Sequence, residues 1–119
     1  MRKIESEMVA AVANGRSWSK DNTQVIANKE EGKPLSVTVW LHGQLIATIT
    51  GGKVLMLHFG SRLHFSRTTF SRMNTLLRQF CKPEAGVFTR KHEPILSGID
   101  GCHDIFLSVG DTWTFSVCR

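Results

Sequence analysis

The chain has 119 residues, of which 41% are hydrophobic and 21% carry a charge. These proportions are typical of a globular protein and argue against a chain that is disordered throughout. The length predicts a single domain over residues 1–119. No apolar run approaches the roughly 20 residues that a membrane-spanning helix needs, and charged residues occupy the N-terminus where a signal peptide has its apolar core. We therefore expect a cytoplasmic protein with no membrane partner.

The positive charge of the chain is concentrated in one segment. The formal net charge is +5, and the 52 residues from 32 to 83 contain seven lysines and arginines but no aspartate or glutamate. The residues before this segment sum to zero and those after it to −2. Lysine and arginine attract phosphates through counterion release, so the segment favours a polyanionic partner. Part of the depletion has a structural explanation, because strands avoid acidic side chains.

A helix is predicted over residues 2–13. The apolar residues that recur there at helical spacing are Ile4, Met8, Val9 and Val12. The pair Asn14-Gly15 is a usual C-terminal stop. Trp18 then falls in a polar loop, and residues 23–27 form a candidate strand.

Three strands joined by tight turns are predicted next, over residues 35–41, 45–50 and 53–59. His42-Gly43 and Gly51-Gly52 connect them, since glycine accepts the positive φ of hairpin turns. Such short links predict an antiparallel meander. Trp40 lies on the face opposite the one that holds Leu35, Val37, Val39 and Leu41. Either a helix covers Trp40 or this side chain marks an exposed interaction patch.

A second helix is predicted from Thr68 or Thr69, which can cap it, to about Phe80. Pro83 ends it, because proline disfavours helical geometry in the preceding residue. Its apolar stripe consists of Phe70, Met73, Leu76, Leu77 and Phe80. The residues near the opposite side are Arg67, Ser71, Asn74, Arg78 and Lys82.

The rest of the chain is predicted to return to β-structure. Residues 87–90 and 95–96 are candidate strands, and residues 104–109 and 112–118 flank Gly110-Asp111 as a hairpin. Trp113, Phe115 and Val117 share one face of the last strand. The expected fold is α+β: an antiparallel β-meander with an N-terminal helix, a second amphipathic helix packed on the sheet, and a C-terminal β-hairpin.

Neither a catalytic site nor a metal site is predicted. Five histidines and three cysteines lie along the chain without the paired spacings of zinc sites. Cys102 and His103 are adjacent, so on a strand they point to opposite faces. No nucleophile elbow, P-loop or dinucleotide fingerprint occurs. We therefore expect a non-enzymatic protein without catalytic residues, metal or cofactor.

Three stretches resemble small accessory proteins of tailed bacteriophages. They are residues 19–25 (SKDNTQV), 41–47 (LHGQLIA) and 68–77 (TTFSRMNTLL). The resemblance covers residues 1 to about 80 and is weaker beyond Cys81. It transfers no catalytic residue, and it implies an accessory role such as binding nucleic acid or inhibiting a host enzyme or defence system.

The predicted binding surface is the basic loop and helix between Arg62 and Lys82. Arginines there would grip phosphates with two parallel hydrogen bonds, and His64 would offer a ring for base stacking. The expected binding residues are Arg62, His64, Arg67, Ser71, Arg72, Asn74, Arg78, Lys82 and Trp40. Nucleic acid is the favoured ligand. The alternative is a host protein, with Trp40 and the arginines as anchors of an inhibitor.

Overall fold

The computed structural model describes residues 2–59, 66–81, 86–90, 93–97, 105–107 and 111–116. Within these ranges the chain forms two helices and nine strands, and neither helix is long and apolar enough to cross a membrane. In chain order the elements are α1 (Lys3–Ala13), β1 (Trp18–Lys20), β2 (Thr23–Asn28), β3 (Ser36–Leu41), β4 (Gln44–Thr50), β5 (Val54–Phe59), α2 (Arg67–Phe80), β6 (Gly86–Arg90), β7 (Glu93–Ser97), β8 (Ile105–Phe106) and β9 (Asp111–Ser116).

The strands form two antiparallel sheets. The larger sheet has six strands in the order β1-β2-β3-β4-β5-β9, and β6, β7 and β8 form the smaller one. The α+β class, the N-terminal helix and the β3-β4-β5 meander are confirmed. The glycine turn between β4 and β5 has the expected geometry: Gly51 and Gly52 have φ of 60° and 66°, and the Lys53 N–H donates to the Thr50 carbonyl at 3.1 Å. This is a type I′ turn, whose twist matches that of the strands it joins.

The two helices cover one face of the six-stranded sheet. α1 packs on β1 and β2, α2 packs on β4, and β6 of the smaller sheet packs against α2. The side chains buried on this face include Val37, Val39, Leu41, Leu55, Leu57 and Phe59. In the apolar stripe of α2, Phe70, Met73, Leu76 and Leu77 are buried and Phe80 is partly buried. The alternation of β3 and the stripe of α2 are therefore both confirmed.

The end of α1 follows the sequence signal. Gly15 has a φ of 60°, and the N–H groups of Gly15 and Arg16 donate to the carbonyls of Val12 and Ala11. This is the Schellman arrangement, in which a residue with positive φ lets the chain satisfy the last free carbonyls of a helix.

The start of α2 corrects the sequence expectation. Ser66 is the N-cap, because its Oγ accepts a hydrogen bond from the Thr69 N–H at 3.1 Å. Thr68 and Thr69 lie inside the first turn instead. Serine fits the cap for the usual reason that its short side chain reaches a backbone N–H left unpaired at the helix start.

Two strand assignments also differ from expectation. Trp18 begins β1 rather than a polar loop and pairs with Val25, since its ring packs against the core. Both strands that flank Gly110-Asp111 occur, but β8 pairs with β7 and β9 pairs with β5. The pairing of β9 places Trp113 beside Leu57 on the covered face. Periodicity indicates the face of a strand but not its neighbour, so it does not identify this pairing.

Candidate functional site

Arg72 is a core residue in this structure and not a surface cation. Its side chain is 4% exposed, and Nη1 lies 2.9 Å from Oε2 of Glu5, whose side chain is 5% exposed. The Arg72 Nε–H also donates to Oγ1 of Thr23 at 3.2 Å. The three residues come from α2, α1 and β2, so the ion pair joins both helices to the sheet. This removes Arg72 from the predicted binding surface, because its guanidinium is buried and already paired.

The pKa of the Glu5 carboxyl reflects this surrounding. Burial raises the pKa, since the charged form loses hydration. Hydrogen bonds from Ser71 and Arg72, the positive charge of Arg72 and a backbone hydrogen bond at Arg2 lower it, and together they outweigh burial. The net result is a pKa below the usual value for glutamate, so Glu5 is charged at neutral pH.

Ser71 and Asn74 also make hydrogen bonds within the protein. The Ser71 hydroxyl donates to Oε2 of Glu5. The Asn74 amide donates to the Val87 carbonyl at 2.9 Å and accepts from the Val87 N–H at 2.6 Å. Asn74 thereby ties α2 to β6, much as Arg72 ties α2 to α1. The Ser71-Arg72-Asn74 part of the phage-like motif therefore bonds α2 to α1 and β6, and of these three residues only Arg72 is buried away from the predicted surface.

Arg67 and Arg78 remain exposed on α2. They are eleven residues apart, which is close to three full turns, so both lie on one stripe of the helix about 16 Å apart along its axis. α2 contains no acidic residue. Within the described residues the ion pairs are Lys20–Glu7, Lys33–Glu30 and Arg72–Glu5, and neither Arg67 nor Arg78 takes part in one.

A groove runs between α2 and β6 beside Arg67. Its lining residues are Arg67, Phe70, Ser71, Asn74, Val87 and Phe88, and its volume is about 380 Å³. Phe88 is 50% exposed, which is unusual for so large an apolar side chain. Gly86 supports the ring: a Cβ at that position would lie 2.5 Å from Cζ of Phe88. An aromatic face and an arginine therefore border one groove.

Trp40 lies apart from this groove. It projects from the sheet face opposite the helices and is half-buried, and its Nε1–H donates to Oγ1 of Thr38 at 2.9 Å. No helix of the described structure covers Trp40, so the first of the two alternatives predicted for this residue is wrong. Trp40 and the α2 arginines thus lie on opposite sides of the six-stranded sheet and do not form one surface.

Several predicted residues lie outside the described part of the chain. They are Arg62, His64 and Lys82 of the binding surface, and Cys102 and His103 of the residues considered for chemistry. Within the described residues, no group of three or more His, Cys, Asp or Glu is placed to hold a metal ion.

Phe88 is an exposed residue that was not predicted from the sequence as part of the binding surface. It falls in a short strand between Val87 and Thr89, where an aromatic residue is ordinarily read as core. Gly86, two residues earlier on the same strand face, was the available signal, because glycine in a strand indicates close approach of another group.

The three phage-like stretches meet around one corner of the sheet. The Asn22 carbonyl accepts from the His42 N–H at 2.9 Å, and His42 shares a surface hollow with Thr68 and Thr69. The model of the Kyanoviridae Gp96 protein family matches residues 1–114. No curated protein and no solved structure matches the chain. Because the family match spans all but the last few residues, the chain belongs to the Kyanoviridae Gp96 family, a family of phage proteins.

Proposed function

We propose that this phage protein is a non-enzymatic accessory factor that binds single-stranded nucleic acid in the host bacterial cytoplasm. The binding surface, called here the α2–β6 surface, consists of Arg67, Arg78 and Phe88. The observation that carries the proposal is the half-exposed Phe88 ring beside Arg67, in a groove with no acidic residue among the lining residues that the structure describes.

The charges of α2 support a phosphate partner. Arg67 and Arg78 stand on one stripe of a helix without acidic side chains, and Glu5, a carboxylate that bonds to Ser71 and Arg72 of that helix, is neutralised by Arg72. A guanidinium without a local counterion keeps its full attraction for phosphate and can bind it with two parallel hydrogen bonds. A spacing of about 16 Å lets the two arginines bind different phosphates of one strand.

Phe88 favours a single strand over a duplex. Stacking on an aromatic side chain needs an exposed base face, which a single strand offers and a paired duplex keeps inside its stack. Such a contact is worth about 1–3 kcal/mol per base and depends little on sequence. The groove offers few other free polar groups, since Asn74 is bonded to Val87 and Ser71 to Glu5. We therefore expect weak sequence preference.

Fluorescence anisotropy with labelled oligothymidine, oligouridine and a DNA duplex tests the proposal. We expect the single strands to bind more tightly than the duplex at ~50 mM salt, with a log–log salt slope of about −0.7 per phosphate contacted. Replacing both Arg67 and Arg78 by alanine should flatten the slope by about 1.4. The matched control is Arg16→Ala with Lys29→Ala, which removes the same charge from exposed positions elsewhere.

Phe88→Ala separates stacking from charge. It should weaken single-strand binding by about 5- to 150-fold while leaving the salt slope unchanged, because stacking releases no counterions. Absence of binding to any oligonucleotide at ~50 mM salt would refute the proposal. Equal losses in the arginine variant and its control would refute the location of the site.

The second candidate is inhibition of a host enzyme or defence system by protein binding. Arg67 beside the exposed Phe88 favours it, since arginine and aromatic side chains dominate protein interface hot spots. A direct complex with a purified host factor would persist after nuclease treatment and be lost in Phe88→Ala. In that case the salt dependence of oligonucleotide binding would not respond to Arg67 and Arg78.

A further inference from the structure

Among the residues that the structure describes, none on the sheet face that carries Trp40 has a formal charge. Alternate residues of the strands project from it, on the side away from the helices. They are Ser19, Gln24, Ile26, Asn28, Ser36, Thr38, Trp40, Leu45, Thr48, Thr50, Val54, Met56, His58, Thr112 and Thr114. None of them is lysine, arginine, aspartate or glutamate, and none is buried. We call this surface the open sheet face.

This composition differs from that of an ordinary solvated sheet. One face of an antiparallel sheet commonly meets water and carries polar, charged side chains. Here Trp40, Ile26 and Met56 take central positions, and threonine is the commonest residue among the others. Loss of charge with enrichment in aromatic residues and methionine is the signature of the central part of a protein interface.

Four polar side chains near the middle of the open sheet face are hydrogen-bonded within it. The Trp40 Nε1–H donates to Oγ1 of Thr38, which donates to the Ile26 carbonyl at 3.3 Å. Oγ1 of Thr48 and Nε2 of His58 lie 2.9 Å apart in a further hydrogen bond. Dehydrating a polar group is costly only when it loses its partner. This face can therefore lose its water without leaving these groups unsatisfied.

We propose that the open sheet face binds a second copy of this chain, forming a symmetric dimer with the two sheets face to face. Two copies each carry a net charge of +5 and repel one another. They can meet closely only where neither presents a cation, and this face meets that condition. The described residues of this face offer nucleic acid no cation, so the same property disfavours nucleic acid here. A two-fold axis places identical patches opposite each other, so a single uncharged patch serves both copies.

The available area sets the expected strength. The row Ile26, Thr38, Thr48, Met56 and Thr114 crosses five strands, which is about 24 Å at 4.8 Å per strand. Six residues along each strand give about 20 Å, hence roughly 480 Å² of projected area per copy. Two copies bury about 1,000 Å², the lower end for specific interfaces. We therefore expect a dissociation constant in the micromolar range and a visible monomer–dimer equilibrium.

Sedimentation velocity from about 1 to 500 µM protein tests the proposal. The wild-type mass should rise from 13.3 kDa toward twice that value. Met56→Lys places two charges in the interface and should raise the dissociation constant at least tenfold. Ala13→Lys, an exposed position at the end of α1, adds the same charge away from the face and should leave the constant unchanged.

Circular dichroism establishes that each variant is folded. If Met56→Lys does not fold, Thr114→Lys, at an exposed position of the same face, takes its place. A wild-type protein that stays monomeric over the whole range overturns the proposal. So does a dimer that folded variants of this face leave intact, since another surface would then hold it. Oligonucleotide binding by Met56→Lys is independent of this result, because the α2–β6 surface lies on the other side of the sheet.

Discussion

Removing one partner of the Glu5–Arg72 ion pair should destabilise the protein far more than removing an exposed ion pair. In Arg72→Ala, Glu5 would be left in a site where its side chain is 5% exposed. An uncompensated buried charge costs about 3–5 kcal/mol, a large share of the 5–15 kcal/mol that stabilises a typical domain. At about 4 °C per kcal/mol for a chain of this size, the melting temperature should fall by about 12–20 °C.

Glu7→Ala is the matched control. Glu7 stands two positions after Glu5 on α1 and pairs with Lys20 at 3.3 Å, with side chains 34% and 41% exposed. An exposed pair contributes about 0–1 kcal/mol, so this variant should lower the melting temperature by at most about 4 °C. Thermal unfolding followed by circular dichroism measures both melting temperatures. If Arg72→Ala costs no more than Glu7→Ala, the assignment of Arg72 to the framework is wrong.

The Glu5–Arg72 pair should also make the stability of the protein depend on pH, because Glu5 must be ionised to form it. Because the folded state lowers the pKa of Glu5 from its ordinary value of 4.5, its ionised form stabilises the fold above that value. This stability is lost as the pH falls through the lower, folded-state pKa. Glu5→Gln lacks this contribution, so the stability difference between wild type and Glu5→Gln should be largest at neutral pH and shrink below pH 4.5. A difference that stays constant over this range would contradict the pairing.

Two further substitutions test the contacts of α2. Asn74→Ala removes both hydrogen bonds to Val87 and should lower the free energy of unfolding by about 2 kcal/mol. It should also accelerate amide hydrogen exchange in β6 more than in β3. Gln79→Ala on the same helix is the control, and equal exchange rates of β6 in the two variants would contradict the contact between Asn74 and β6. Ser66→Ala removes the N-cap and should lower the stability measured by thermal unfolding by about 1 kcal/mol, whereas Thr68→Ala should not. A larger loss in Thr68→Ala than in Ser66→Ala would indicate that the threonine is the N-cap.

Local sequence signals account for most of the individual elements. The α2 stripe, the alternation of β3 and the Gly51-Gly52 turn depend on neighbours along the chain, and each is present in the structure. The partner of β9 could not be predicted, because any strand edge with apolar neighbours would satisfy its alternation.

The candidate site was less predictable, because contacts with residues distant in sequence decide which of its side chains are buried and which are exposed. The sequence around Arg72 predicts a surface cation, because its partner Glu5 lies 67 positions earlier in the chain. A signal did exist: Glu5 precedes Met8 by three positions and Arg72 precedes Leu76 by four, so each charge falls on the apolar side of its helix. Opposite charges at such positions in two helices indicate a buried pair.

The long sequence separation within the Glu5–Arg72 pair also bears on how the chain matures during synthesis. At about 5–20 residues per second, α2 leaves the ribosome some 3–13 s after Glu5 does. Until then the nascent α1 carries a carboxylate on its apolar side that burial would penalise, so early docking of α1 onto β1 and β2 is disfavoured. We therefore expect the N-terminal half to consolidate only when α2 is available, with the two helices docking in one late folding step. Closing so long a loop also costs chain entropy, which grows with the logarithm of the sequence separation.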